Sequence, residues 1–221
     1  MTGRGVVVEF DFAALNGAEL LFETAKRFLG DLDKIDLDDA LEARYLVGRT
    51  YLDGLTRFFA SVKTKKTAQK AARDLAAAFA AAVTDAAPKA VTVQFRNFIK
   101  ALTDAGIAVA IATRADVEAV RSAFKPVLGE RVILYHEESE AYGFATWEGW
   151  RRACMAMEMR HAMVRAVSGS GFGVKSALVA GMRSVAVIND RVAWQDFGGA
   201  GEVVDELSGK TAKKFLAALG I

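Results

Sequence analysis

The chain has 221 residues, of which 52% are apolar, and a formal net charge of +2. This length suits one domain with an insertion or two small domains, and the apolar content is ample for a packed core. The nearly balanced charge gives no indication of nucleic acid or an anionic membrane surface as a partner. The single cysteine, Cys154, excludes an intrachain disulfide. With no recognisable signal peptide and no apolar run long enough to span a membrane, these features favour a cytoplasmic location.

The first predicted element is a strand that ends in two acidic residues. Residues 6–8 are all valine, which predicts a strand covered on both faces because it has no polar side. Glu9 and Asp11 follow, and an extended chain would place both carboxylates on one side. Ligands of open α/β sheets bind beyond the carboxyl ends of the strands. The two acids are therefore the first candidates for a functional site.

Residues 17–89 are predicted to be almost purely helical. Apolar residues recur at helical spacing over 20–29 and again over 41–59, and we expect one helix to begin at Asp38 and carry the second set. The alanine-rich segment 71–86 strongly favours a helix, and Pro88 is expected to end it. The pattern amounts to about four helices between the first strand and the rest of the chain.

From residue 90 onward, predicted strands alternate with predicted helices. The strands are expected at 107–112, 132–135, 163–167 and 184–188, and the helices at 95–106, 117–124, 146–160, 173–180 and 203–219. This alternation predicts a parallel sheet with right-handed crossovers. We therefore predict an α/β fold in which residues 1–16 and 90–221 form a Rossmann-like core, flanked by helices, and residues 17–89 form an inserted all-helical cap.

Three blocks of the sequence, together with their spacing, resemble the haloacid dehalogenase (HAD) superfamily, in its phosphatase and β-phosphoglucomutase-like branch. Residues 6–11 resemble its first motif, a hydrophobic strand followed by Asp, any residue and Asp. Residues 105–113 resemble the second motif, a strand that ends in Thr or Ser, and residues 173–182 resemble the helix after the fourth motif. The resemblance covers essentially the whole chain and implies the same arrangement of core and cap.

The resemblance implies a site for phosphoryl transfer. In the family the first Asp attacks the phosphoryl group, the second protonates the leaving group, and a Lys and the Thr or Ser hold the phosphate. Mg²⁺ is bound by the first Asp, by the backbone carbonyl of the second and by an Asp of the fourth motif, and it offsets charge in the transition state. Carried over, Glu9 and Asp11 are the catalytic candidates and weak metal ligands, and Thr113 is a phosphate contact.

The sequence departs from this pattern at several positions. Glu9 replaces the first Asp, and its extra methylene displaces the carboxylate by about 1.5 Å. A misplacement of about 1 Å can cost roughly a hundredfold in rate. Phe12 replaces a glycine, and the third motif would fall near residues 142–145, where no lysine occurs. Ser168, Gly169 and Ser170 stand where the metal-binding Asp is expected.

Other residues could bind an anion. Arg114 follows Thr113 and either supplies positive charge to a ligand or is a solvated residue at a helix start. Ser168 and Ser170 belong to a glycine-rich turn between a strand and a helix, where free N–H groups and the helix dipole could hold an anion. The alternative is an ordinary tight turn, and no base is evident that would activate either serine as a nucleophile.

The remaining candidates receive structural interpretations. His136 and His161 are the only histidines, and we interpret both as solvated residues because a metal site needs further convergent ligands. Asp190 follows the last predicted strand and is a less favoured substitute for the missing acid. Trp147 and the neighbouring methionines indicate helix packing or a partner surface.

Three hypotheses follow. The first is a degenerate HAD-like protein that has lost efficient phosphoryl transfer and binds a small anionic ligand or a protein partner. The second is a working phosphomonoester hydrolase that uses Glu9, Asp11 and Mg²⁺, the one cofactor that the sequence suggests. The third is an interaction protein whose cap forms a homodimer surface. None of the three involves nucleic acid or a membrane.

Overall fold

The computed structural model describes residues 4–138 and 144–218. A six-stranded parallel sheet lies at its centre. The strands, in chain order, are β1 (Gly5–Glu9), β2 (Ala108–Thr113), β3 (Val132–His136), β4 (Val164–Ser168), β5 (Arg183–Val187) and β6 (Glu202–Val204). Their spatial order is β3-β2-β1-β4-β5-β6. The predicted α/β class with a Rossmann-like parallel sheet is confirmed.

Helices flank this sheet and fill the insertion after β1. They are α1 (Phe10–Ala13), α2 (Gly17–Asp33), α3 (Asp39–Tyr45), α4 (Tyr51–Val62), α5 (Ala68–Ala90), α6 (Val93–Asp104), α7 (Val117–Phe124), α8 (Trp147–Ala156), α9 (Gly171–Val179) and α10 (Gly209–Ala218). We call α2 to α5 the helical insertion. The predicted cap, residues 17–89, begins with α2 and ends in the last turn of α5. Its standing as a separate domain remains a prediction.

The central position of β1 determines where the acids lie. Its neighbours are β2 on one side and β4 on the other, and Glu9 is the register partner of Ala112. The connections run in opposite directions from this strand, which is the topological switch point where open α/β sheets bind ligands. The carboxyl end of β1 is therefore bordered by the ends of β2 and β4.

One continuous apolar core joins the sheet to the helical insertion. It contains Val6 and Val8 of β1 together with Leu55 of α4 and Phe79 of α5, each of which is fully buried. A second, smaller core covers the opposite face of the sheet and contains Trp150 of α8. The insertion therefore packs as part of the main core.

Three sequence predictions about elements are wrong. The expected single helix over 38–59 is two helices, α3 and α4, because the chain turns at Gly48, which has a φ of +71°. Pro88 lies inside α5, which continues to Ala90. The expected helix over 203–219 begins only at Gly209, since residues 202–204 form the edge strand β6.

Within the described ranges, no helix is both long enough and apolar enough to cross a membrane.

Candidate active site

Glu9 and Asp11 lie on different elements, although the sequence predicted one extended stretch. Glu9 is the last residue of β1, and Asp11 lies in the one-turn helix α1, which forms because the Ala14 N–H bonds the Phe10 carbonyl at 3.0 Å. Both side chains are buried, with 1% and 2% of their surfaces exposed. The site therefore contains two carboxylates that are almost completely removed from solvent.

Glu9 is held by two hydrogen bonds from opposite sides. The Phe144 N–H donates to Oε1 at 2.7 Å, and the Ser168 hydroxyl bonds Oε2. The Ser170 N–H donates to the same hydroxyl oxygen at 3.2 Å. Ser168 stands at the end of β4, where the family pattern has its metal-binding Asp. In this chain the Ser168 hydroxyl occupies that position and donates a hydrogen bond to Glu9.

The Phe144 N–H is itself held in place by α8 and α9. Its ring packs on Trp150 with 4.2 Å between ring centroids, and its carbonyl accepts a hydrogen bond from the Ser176 hydroxyl. The indole N–H of Trp150 donates to the Ser176 oxygen at 2.8 Å. These contacts fix the backbone donor that faces Glu9.

Asp11 bonds the end of β2. The Thr113 hydroxyl donates to Oδ1 at 2.6 Å, and the Arg114 N–H donates to Oδ2 at 2.8 Å. Thr113, predicted as a phosphate contact, is thus a direct partner of the second acid. Both oxygens of each carboxylate therefore have a protein hydrogen-bond donor.

Arg114 is buried, with 5% of its surface exposed, so the interpretation as a solvated residue is wrong. Its guanidinium lies 5.9 Å from the ring centroid of Phe79 on α5. Its charge lowers the pKa of both acids. Arg114 therefore places a positive charge between the acid pair and the helical insertion.

Burial is the dominant influence on the acids. It raises the pKa of Glu9 to about 7, against the opposing effects of the Ser168 and Phe144 hydrogen bonds and the Arg114 charge. It also raises the pKa of Asp11, against the effects of Arg114 and Thr113. Since a carboxyl group loses its hydration on burial, the neutral form is favoured. Near neutral pH Glu9 is therefore protonated in a large fraction of molecules.

The glycine-rich turn uses its own N–H groups. The Gly173 N–H donates to Ser170 Oγ at 3.0 Å, and the Gly171 N–H donates to the Gln195 side chain at 2.8 Å. Ser170 is thereby the cap of α9. The N–H groups of residues 170, 171 and 173, which could have bound an anion, are thus engaged within the protein.

Space around the acids is filled. A methyl group added at Gly173 would lie 2.1 Å from Ser168 Oγ and 3.1 Å from Glu9 Oε2. One added at Gly17 would lie 2.3 Å from the Asp11 carbonyl oxygen, so the start of α2 lies directly against that carbonyl. Phe12 packs towards α5, with its ring centroid 6.2 Å from that of Phe79.

Two cavities have linings that include a neighbour of Asp11, Arg114 in one and Phe12 in the other. A groove of about 710 Å³ runs between α5 and α7, and its lining contains Arg114 and His136. A second of about 370 Å³ contains Phe12 and Phe95 in its lining. Neither acid lines either cavity.

The residues present do not fit a magnesium site. Among residues 4–138 and 144–218, no group of three or more His, Cys, Asp and Glu side chains is placed to hold a metal ion. The carboxylate oxygens of Glu9 and Asp11 already accept hydrogen bonds, and the Asp11 carbonyl is covered by α2. Mg²⁺ requires near-octahedral oxygen ligation, which this donor set does not provide.

Other predicted positions lie outside this cluster. His136 is exposed, and its Nδ1 lies 3.1 Å from the Ala115 carbonyl oxygen. Asp190 is exposed in the segment after β5. Of the predicted third-motif region, residues 142 and 143 lie outside the described residues. Phe144, which follows them, supplies the backbone donor to Glu9.

Sequence reasoning missed two buried polar residues near the site. Tyr51 of α4 is completely buried, and its pKa is raised by burial and by Asp11 while Arg114 lowers it, so the insertion contributes a phenol to the same region. Glu137 is buried after β3 and pairs with Arg152 at 2.7 Å. The helical pattern over 41–59 predicted an apolar face that includes Tyr51, but not that this face lies near the acids. Glu137 stood next to a candidate histidine, and nothing in the sequence marked it as buried.

The close contact at Gly173 gives a testable prediction. We expect Gly173→Ala to lower the free energy of unfolding by about 2 kcal/mol, because overpacked positions force neighbouring side chains to shift. Gly129→Ala is the matched control, since nothing lies within 4 Å of an added methyl group there. Urea denaturation of both variants measures the difference.

A double variant tests the cause of that loss. Gly173→Ala combined with Ser168→Ala removes the hydroxyl that the new methyl group would meet. The combined loss should be smaller than the sum of the two single losses. Strict additivity would contradict the contact.

The sequence and the structure were compared with known proteins. No family model and no curated protein matches the sequence. Among solved structures, β-phosphoglucomutase from Clostridium difficile superposes with a TM-score of 0.72 at 11% identity, over 98% of this chain and 96% of that chain. CbbY from Rhodobacter sphaeroides, determined in complex with phosphate, has a TM-score of 0.68 at 17% identity, over 92% and 94%. A family IA HAD hydrolase from Entamoeba histolytica has a TM-score of 0.66 at 15% identity, over 91% and 92%.

Each superposition covers more than nine-tenths of this chain. Coverage this high extends over the sheet and most of the helical insertion. The chain therefore has the fold of HAD-family hydrolases with a β-phosphoglucomutase-like organisation, as the resemblance in its motifs predicted.

Proposed function

We propose that this chain is a HAD-fold protein that binds a ligand or partner and does not catalyse magnesium-dependent phosphoryl transfer. The observation that carries the proposal is the state of the acid pair. Glu9 and Asp11 are buried, and the protein itself supplies a donor to each of their four carboxylate oxygens. Each oxygen keeps a second lone pair, but a nucleophile must also face an accessible substrate. These buried side chains line neither cavity and offer no such face.

The charge of the pair also supports the proposal. A carboxylate attacks in its ionised form, whereas burial raises the pKa of Glu9 to about 7. The hydrogen bonds suit both protonation states. The ionised form accepts from Ser168, and in the neutral form the acid can donate to the same oxygen while the Ser168 hydroxyl turns to the Ser170 carbonyl, 3.2 Å away. Because a hydroxyl can donate or accept, it stabilises the carboxyl group in either protonation state, and this stabilisation needs no catalytic role for Glu9.

Helix α5 of the insertion packs directly against residues at the carboxyl ends of the strands. Phe12 and Arg114 of the core both contact Phe79 of α5, and the Asp116 N–H donates to Thr84 Oγ1 at 3.2 Å. The groove of about 710 Å³ opens beside these contacts and is the surface that we assign to a ligand. Its lining carries both charges, with Arg114 on one side of the balance and Asp85, Asp116 and Glu118 on the other.

The test is magnesium binding followed by turnover. Isothermal titration with Mg²⁺ and a panel of phosphomonoesters would be applied to the wild type, to Glu9→Gln and to Glu23→Gln, an exposed glutamate of α2 that serves as the control. We expect the three proteins to give the same heats and no turnover. Mg²⁺-dependent turnover that is lost in Glu9→Gln and kept in Glu23→Gln would establish the hydrolase alternative.

A further inference from the structure

Three arginines lie at the amino-terminal ends of neighbouring strands, at the end of the sheet opposite the acid pair. Arg4 precedes β1, Arg165 lies in β4, and Arg183 is the first residue of β5. Arg165 and Arg183 are register partners on adjacent parallel strands. Because register partners point to the same face and such strands lie about 4.8 Å apart, the two side chains are neighbours on one face.

A cavity adjoins this cluster. It has a volume of about 160 Å³, and its lining includes Arg4, Gly5, Met163 and Arg165. The share of liquid volume taken by one water is about 30 Å³, so the space holds a tetrahedral oxyanion with a few waters. Gly5 is the first residue of β1, so the cavity lies at the amino-terminal end of the strand whose other end carries Glu9.

Two of the three arginines, Arg165 and Arg183, have no acidic side chain close to them in the part of the chain that the structure describes. Within residues 4–138 and 144–218, no carboxylate oxygen lies within 4.0 Å of the side-chain nitrogens of Arg165 or Arg183. Arg165 is half-buried, and burial together with the charges of Arg183 and Arg4 lowers its pKa. Guanidinium groups remain protonated in proteins, so Arg165 and Arg183 repel each other, and an anion bound beside them would offset that repulsion.

We propose that Arg4, Arg165 and Arg183 form a binding site for the phosphate group of a small phosphorylated molecule. Planar guanidinium forks match phosphate oxygens with paired hydrogen bonds, and they do so more specifically than lysine. An anion there removes the like-charge repulsion at the same time. The five residues of β1 separate this site from the acid pair by about 16 Å. The inference therefore goes beyond the proposed function and does not depend on it.

Inorganic phosphate is the probe for this site. Calorimetry and thermal unfolding at pH 7.5 and constant ionic strength would compare the wild type with Arg165→Met and Arg183→Met. Arg73→Met, which changes an exposed arginine of α5, is the charge-matched control. We expect phosphate to bind the wild type and the control saturably and to raise their Tm, with at least tenfold weaker binding in each cluster variant.

The cluster variants also report on the repulsion itself. Without phosphate, Arg165→Met should unfold at the same temperature as the wild type or a higher one, because methionine keeps the apolar stem and removes the charge. Arg183 is exposed, so Arg183→Met is expected to fold in any case.

Three results would overturn the proposal. They are no binding of phosphate to the wild type, equal binding in all four proteins, and binding of a single-stranded RNA oligonucleotide but not of phosphate. The last result would assign the arginines to a nucleic-acid surface. Since none of these measurements involves Mg²⁺ or turnover, failure here is distinguishable from failure of the proposed function.

Discussion

Replacing Glu9 with glutamine is expected to stabilise the protein progressively, relative to the wild type, as the pH rises from 4.5 to 8. The relative gain should reach about 3 kcal/mol, the free energy that corresponds to raising the pKa of this carboxyl group from 4.5 to about 7. The physical reason is burial, which raises the pKa of Glu9 from 4.5 to about 7. Glutamine has nearly the same shape, can accept from the Phe144 N–H and donate to Ser168, and carries no charge at any pH.

The sign of this effect follows from proton linkage. Between pH 4.5 and about 7 the unfolded chain has released the Glu9 proton while the folded protein still binds it. The unfolded state therefore binds fewer protons, and the contribution of this group to stability falls as the pH rises. That contribution is fully present below pH 4.5 and is lost above about pH 7. The glutamine variant has no such loss.

Urea denaturation of both proteins at intervals from pH 4.5 to 8 measures the difference. Glu42 also has a pKa raised to about 7 by burial, but it is present in both proteins, so its contribution cancels. Glu23→Gln should follow the wild-type curve at every pH. Parallel curves for the wild type and Glu9→Gln would show that Glu9 titrates as an ordinary surface carboxyl group.

The sequence predicted the sheet because local patterns determine it. The valines of β1 and the apolar strand segments after residue 90 have no polar side, so both faces of the sheet must be covered. This requirement holds whichever elements cover them. The strands β2 to β5 were located within about two residues in this way. The edge strand β6 was missed because residues 202–204 are only partly buried and resemble the start of a helix.

The sequence predicted which residues form the site but not their burial, because burial depends on contacts between distant parts of the chain. The sequence named the residues that meet there, Glu9, Asp11, Thr113, Arg114 and Ser168, because a strand order implied by the fold brings the ends of β1, β2 and β4 together. It could not show that the acids are covered. Burial depends on Tyr51 and Phe79 of the helical insertion and on the Phe144 N–H, all of them far from the acids in the sequence. A hydrogen bond to a backbone N–H also leaves no mark on residue type.

Replacing Arg191 with methionine is expected to lower the free energy of unfolding by about 3 kcal/mol at pH 8, because it leaves a buried carboxylate without its partner. Arg191 follows β5 and reaches the insertion, where its nitrogens lie 2.8 Å from Glu42 and 2.7 Å from Asp39. Its guanidinium also lies 3.8 Å from the ring centroid of Phe22. Glu42 is buried, with 8% of its surface exposed.

The loss should depend on pH. Burial raises the pKa of Glu42 to about 7, and the Arg191 charge opposes that rise. At pH 8 Glu42 is mostly ionised in the wild type, so removing Arg191 costs the ion pair, up to the point at which Glu42 takes up a proton in the variant. At pH 5.5 Glu42 is neutral in the folded forms of both proteins, and the difference between them should be smaller. Glu42→Gln combined with Arg191→Met should lose less than the sum of the two single changes.

Arg57→Met is the matched control, because Arg57 pairs with Asp53 at 3.0 Å on the exposed surface of α4. Exposed pairs contribute about 0–1 kcal/mol, so this variant should remain close to the wild type. A loss at Arg191 no larger than the loss at Arg57 would contradict the role of Glu42. The predicted larger loss would identify Arg191 as a link between the core and the insertion. The insertion would then be held over the acid pair by an ion pair as well as by the shared apolar core, as the proposed non-catalytic function requires.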